Sequence, residues 1–294
     1  MPPEPSDIFI PSPDGLKLHA RCYGPNNATT LPIVCLPGLT RTTADFEFLA
    51  LSLANRGRRV IAIDYRGRGL SDHDSNPASY NVGVELTDLI TVLAALRIAP
   101  AIFIGTSRGG ILAMMLAALR PDLIAAVILN DIGPVIELEG LLRIKGYVGK
   151  MPAPRDLNEA AAILRTLFGA QFPRLTDAHW QISAQRSFRQ QNGRLVPTYD
   201  PALAATLDAV TPDTPLPPMW PQFEALASVP VMVIRGALSD ILSNETVAEM
   251  KVRHPSLQVV EVPDEGHAPL LIDAETIGRI EVFIDSVAPP DPSS

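Results

Sequence analysis

The six residues Gly105-Thr106-Ser107-Arg108-Gly109-Gly110 constrain this chain more than any other stretch. They lie between an apolar, strand-like run, 101–104, and an apolar, helix-like run, 111–119. A serine on a sharp turn from strand to helix takes a strained backbone conformation. That is tolerable only where the residues two before and two after it are too small to collide. Gly105 and Gly109 meet this need, and Gly110 lets the helix approach the strand closely. The start of such a helix directs unpaired N–H groups and positive dipole toward any charge that forms beside Ser107.

The same alternation recurs along the chain. Residues 33–36, 60–63, 101–104 and 127–129 are short continuous apolar runs, separated by helical stretches at 44–55, 80–97 and 109–119, the last stopped by Pro121. Strands that are apolar on both faces must be covered on both, which predicts a mainly parallel sheet built from strand–helix units. Ahead of them, 8–10 and 16–23 are β-prone runs joined across turn residues 11–15, which predicts an antiparallel hairpin.

The alternation lapses after Pro134. Residues 137–148, 158–168, 176–190 and 201–210 are helical in pattern, and five prolines follow between Pro212 and Pro221. Strand signals return at 231–234 and 257–262, with a closing helix at 274–286. The expected organisation is therefore an α/β core in two parts, 1–135 and 228–294, with a helical cap at 136–227. Such a cap would lie over the C-terminal edge of the sheet, where open α/β sheets bind their ligands. The proline-rich ends, 1–5 and 288–294, are expected to be loose.

Composition narrows the partners. With 47% hydrophobic and 19% charged residues the chain can bury a full core, and a formal net charge of −8 without clustered Lys and Arg argues against nucleic acid. The longest apolar runs, 111–119 and 123–129, are far short of a membrane span, and the N-terminus has no basic segment followed by an apolar one. A cytoplasmic protein acting on a small molecule is expected. Cys22 and Cys35 fall on separate predicted strands without metal-ligand spacing, so both are expected to be free and buried.

A serine hydroxyl becomes a nucleophile at neutral pH when a base lies within hydrogen-bond reach and a third group orients that base. Of five histidines, His19, His73, His179 and His254 do not directly follow a sheet strand. His267 does, in the loop Pro263-Asp264-Glu265-Gly266-His267 after the last strand. The third group should be a carboxylate at another strand end: Asp240, just past 231–234, is the first choice, and Asp131, ending 127–129, is the alternative. The turn Leu36-Pro37-Gly38-Leu39-Thr40-Arg41 would bring the Leu39 N–H beside that of Arg108 as an oxyanion-binding pair.

These motifs together resemble the α/β-hydrolase superfamily: the elbow at Ser107, the Pro37-Gly38 turn, the run Asp64-Tyr65-Arg66-Gly67-Arg68-Gly69-Leu70-Ser71, and the order Ser107, Asp240, His267. The likeness covers most of the chain outside the cap, although Pro37-Gly38 stands where the family usually has His-Gly. It implies an eight-stranded, mostly parallel sheet flanked by helices, an esterase-type triad and an acyl-enzyme, with no metal or organic cofactor. Serine at the elbow disfavours the members with an aspartate nucleophile. An ester, lactone or related acyl bond is the implied target. Two alternatives are a carbon–carbon bond hydrolase of a ring-cleavage product and a slow-turnover, ligand-binding or signalling relative. Arg41 and Trp220 are candidate substrate contacts. Arg108 either holds a substrate carboxylate or forms a structural ion pair.

Overall fold

In chain order, the computed structural model, which describes residues 4–214 and 216–287, begins with the hairpin β1 (Ser6–Pro11) and β2 (Lys17–Tyr23). Next come β3 (Ile33–Leu36), α1 (Glu47–Asn55), β4 (Val60–Asp64), α2 (Val82–Ala95), β5 (Ala101–Thr106), α3 (Arg108–Leu119) and β6 (Ile124–Asn130). A mostly helical insert follows: α4 (Leu138–Tyr147), α5 (Leu157–Phe168), α6 (Asp177–Ser187), β7 (Phe188–Gln191), β8 (Arg194–Pro197) and α7 (Trp220–Glu224). The chain then closes with β9 (Val231–Gly236), α8 (Asn244–Arg253), β10 (Gln258–Val262) and α9 (Ala274–Ser286). The loose ends expected at 1–5 and 288–294 lie, apart from Glu4 and Pro5, outside the described residues.

Eight strands form one sheet in the order β1-β2-β4-β3-β5-β6-β9-β10. β1 and β2 run antiparallel, as do β2 and β4, and every pairing from β4 to β10 is parallel. The continuous apolar runs serve both faces at once. Val34, Ile61, Phe103, Val127 and Val233 pack with α2 and α3 on one face. Their neighbours Cys35, Ala62, Ile102, Ile128 and Ile234 pack with α1 and α9 on the other. Burying one such side chain stabilises the fold by about 1.5–3 kcal/mol, which is why strands this short hold together. Cys22 and Cys35 are free and buried, and burial raises the pKa of both thiols.

The insert between β6 and β9 departs from the expected all-helical pattern. The helix expected at 176–190 ends at Ser187, and the chain turns back at Asn192-Gly193 to pair β7 with β8. Both turn residues have positive φ, 50° and 76°, the conformation that an Asn-Gly pair accepts at least cost. The segment expected as a helix at 201–210 is a 3-10 helix over Pro201–Leu207. Ala160, Leu164, Phe172, Trp180, Phe188 and Leu195 give the insert a small core of its own.

Candidate active site

Ser107 sits between β5 and α3 with φ 50° and ψ −112°, outside the regions a non-glycine residue ordinarily occupies. The glycines around it make this possible. A Cβ on Gly105 would lie 2.5 Å from the Gly109 carbonyl carbon, and one on Gly109 would lie 2.0 Å from the Leu36 oxygen. Ser107 holds the N-cap position of α3, yet its hydroxyl makes no capping bond. It is directed to His267 instead, with Oγ 2.8 Å from Nε2.

His267 follows β10 in a loop secured at several points. Leu238 N–H donates to the Glu265 carbonyl at 2.9 Å, and Asn130 Nδ2 donates to the Pro269 carbonyl at 2.9 Å. The second ring nitrogen, Nδ1, is 2.8 Å from Asp131 Oδ2.

The acid beside His267 is therefore Asp131, and the first-choice expectation of Asp240 is corrected. Asp131 is wholly buried with φ 55°, and its carboxylate also accepts from Gly236 N–H at 2.8 Å and Ser239 Oγ at 2.6 Å. The segment after β9 thus supports the acid without supplying it. Asp240 turns away and forms a two-point ion pair with Arg143, whose Nη2 donates to Oδ1 at 2.8 Å. Burial opposes the Asp240 charge, but the Arg143 guanidinium outweighs it and holds the carboxyl below its ordinary range.

The four remaining histidines lie elsewhere, His73 with its Nδ1 3.5 Å from Asp200 Oδ2. His19 is buried between Asp64, at 2.7 Å, and Asp7, at 3.0 Å. His179 bonds Thr176 at the start of α6, and His254 Nε2 faces the carbonyls of Leu226 and Val229.

The Leu39 and Arg108 backbone N–H groups donate to no acceptor among the described residues. Both residues line one cavity of about 310 Å³ with Ser107. Its walls are apolar, with Ile132, Ile136, Leu141, Ile144 and Leu207 among them. The turn passes close to the elbow at Gly38: a Cβ there would stand 3.7 Å from the Ser107 Cβ, an ordinary contact, and 3.3 Å from Arg41 Cγ, which would have to give slightly.

The Arg108 side chain forms an ion pair, its Nε 2.7 Å from Glu85 Oε2. Arg41 pairs with Asp45 at 3.1 Å and lines a smaller cavity with Tyr147, Phe172 and Trp180. Trp220 does not line the Ser107 cavity. Its ring lies under the Arg253 guanidinium at 4.1 Å, and its neighbour Met219 takes the wall position. Residue patterns had not singled out Asn130, Ser239 or Glu85. Asn130 and Ser239 carry a weak signal, each adjoining a carboxylate already in view, whereas Glu85 lies inside a helix and carries none.

The model of the alpha/beta hydrolase family matches residues 33–277. The chain belongs to this family. A solved alpha/beta hydrolase from Novosphingobium aromaticivorans superposes with a TM-score of 0.90 at 41% identity, covering 96% of this chain and 98% of that one. A 3-hydroxybutyrate-oligomer hydrolase of Cupriavidus necator is 35% identical over 279 residues, 92% of this chain and 94% of its own length. A 2-(acetamidomethylene)succinate hydrolase of Mesorhizobium japonicum is 29% identical over 251 residues, 85% of this chain and 86% of its own. The protein is accordingly a hydrolase. No helix among the described residues is long and apolar enough to cross a membrane.

Proposed function

We propose that this protein is a serine hydrolase of small carboxylic esters, working through an acyl-enzyme. The observation that carries this reading is the unbroken chain Ser107–His267–Asp131, with both links at 2.8 Å. Ser107 Oγ attacks the ester carbonyl as His267 Nε2 takes its proton, and the Asp131 carboxylate stabilises the imidazolium that results. The carbonyl oxygen becomes an oxyanion within reach of the Leu39 and Arg108 N–H groups. Collapse of the tetrahedral adduct expels the alkoxide, which leaves as the alcohol with the proton from His267. Water, deprotonated by the same imidazole, then attacks the acyl-enzyme, releasing the acid and restoring Ser107.

The apolar cavity beside Ser107 suits a short aliphatic acyl chain. The similarity to a hydrolase of 3-hydroxybutyrate oligomers supports a short hydroxyalkanoate ester as substrate. In this reading 136–227 is a cap, since Leu141, Ile144 and Leu207 from it form cavity walls opposite Ser107. Location in the cytoplasm, where thiols stay reduced, accords with the free cysteines.

The test is labelling with a fluorophosphonate, with the adduct located by peptide mass, alongside turnover of p-nitrophenyl esters and of the 3-hydroxybutyrate dimer. The expected result is one adduct on Ser107 and ester turnover that Ser107→Ala abolishes. Labelling elsewhere, or undiminished turnover in that variant, would sink the reading.

A further inference from the structure

The run from Asp64 to Ser71 carries one side chain, that of Arg68, that bonds to a residue of the candidate site. Arg68 and Glu85 are wholly buried, and Arg108 is 14% exposed. Glu85 divides its carboxylate between the two guanidinium groups. Oε1 lies 2.8 Å from Arg68 Nη1, and Oε2 lies 2.7 Å from Arg108 Nε. Arg68 then extends the connection, as its Nε donates to the Leu39 carbonyl at 2.9 Å and its Nη1 to the Arg66 carbonyl at 2.7 Å. The rings of Tyr65 and Tyr80 flank the same guanidinium at 5.6 and 5.8 Å.

Leu39 and Arg108 are the two residues whose amides face the oxyanion in the proposed mechanism. They come from different strand ends, the turn after β3 and the start of α3, and Leu39 follows Gly38, which confers little stiffness. Holding the Leu39 carbonyl fixes the peptide plane that follows Leu39, and the plane that carries its N–H is joined to that one through the Leu39 φ and ψ, so the hold anchors the donor at one residue's remove. Glu85 links that hold to the elbow. Burial opposes the Glu85 charge, but Arg68 and Arg108 together outweigh it and keep the carboxylate ionised. Such a buried cluster is a poor device for stability alone, because apolar packing of equal volume commonly does as well. Arg68 Nη2, Arg108 Nη2 and Glu85 Oε1 are buried without a hydrogen-bond partner among the described residues, so Arg68 and Glu85 meet as a close ion pair and not as a hydrogen bond.

We propose that Glu85 is a positioning residue: by bridging Arg68 and Arg108 it sets the spacing and direction of the Leu39 and Arg108 amides that receive the oxyanion. This rests on the serine-hydrolase reading above. The bridge acts only as charge develops on the carbonyl oxygen, so it should influence kcat far more than KM.

The test uses Glu85→Gln, which keeps the volume and removes the charge, and Arg68→Lys, which keeps the charge and removes the Nε–H. Rates per fluorophosphonate-titrated site should show kcat lowered about tenfold or more with KM within about twofold. Affinity for an alkylboronic acid, which forms a tetrahedral adduct on Ser107, should fall by a similar factor. A folded variant with kcat and boronate affinity both within about twofold of the unsubstituted protein would overturn the proposal. If neither variant folds, a crystal structure of the unsubstituted boronate adduct decides. The boronate oxygen should bond to both amides with Arg68 still holding the Leu39 carbonyl, and release of that carbonyl would overturn the bridge. Absence of any Ser107 adduct in the unsubstituted protein would instead sink the serine-hydrolase reading.

Discussion

His267 Nδ1 lies 2.8 Å from Asp131 Oδ2, and the carboxylate that receives it is wholly buried and bonded as well to Gly236 N–H and Ser239 Oγ. A carboxylate held by three donors cannot swing away, so it fixes both the tautomer and the plane of the imidazole. Asp131→Asn should therefore lower kcat by about 10³–10⁴ while leaving the fold intact. Asp240→Asn, which weakens the pair with Arg143 and removes no direct bond to His267, should cost about tenfold or less. Steady-state rates of the two variants on one p-nitrophenyl ester check this, and the reverse ranking would return the acid to Asp240.

The elbow should be intolerant of a single methyl group. In Gly109→Ala the new Cβ would meet the Leu36 carbonyl oxygen at 2.0 Å, a backbone atom inside the sheet that cannot step aside. A loss of about 3 kcal/mol or more is expected, lowering Tm by roughly 6–12 °C. Thermal melts followed by circular dichroism measure it. A Tm within two or three degrees of the unsubstituted protein would mean that the turn yields more easily than its geometry implies.

Glu265, two residues before His267, should make stability depend on pH. Burial pushes its pKa up to about 7, partly offset by the Leu270 N–H that its carboxylate accepts. The folded state therefore retains a proton that the unfolded chain gives up near its ordinary value of about 4.3. Stability from this group is fully present below that value and is lost as pH rises through about 7. Relative to the unsubstituted protein, Glu265→Gln should gain stability between pH 5 and about 8, measured as the difference in chemical denaturation midpoints. An unchanged difference across that range would show that Glu265 titrates normally.

The Ser107 cavity predicts acyl-chain selectivity. Leu216 lines it and is itself 43% exposed, so a larger side chain there can be accommodated without disturbing the core. Leu216→Trp should leave kcat/KM for acetate esters within about twofold and reduce it for hexanoate or longer esters by about tenfold, because one lost methylene contact is worth on the order of 1 kcal/mol. Equal effects on short and long esters would place the acyl chain elsewhere.

What the sequence determined by itself is local. The elbow was legible because the spacing of Gly105, Gly109 and Gly110 around Ser107 is a steric demand met within six residues. The sheet was legible because strands covered on both faces must be continuously apolar, and the two faces of β3 to β6 and β9 are filled as that pattern required. The hairpin at Asn192-Gly193 was missed, because the helical pattern expected over 176–190 on its N-terminal side overrode the turn signal of the Asn-Gly pair. The acid was decided only by the tertiary structure. Asp131 and Asp240 both follow sheet strands, and what separates them is the pairing of β6 with β5 and β9, the φ of 55° at Asp131, and an Arg143 from the insert that captures Asp240. The Arg68–Glu85–Arg108 bridge was equally out of reach. It joins a turn, a helix face and the elbow across the fold, and no spacing along the chain encodes a contact between groups that only packing brings together.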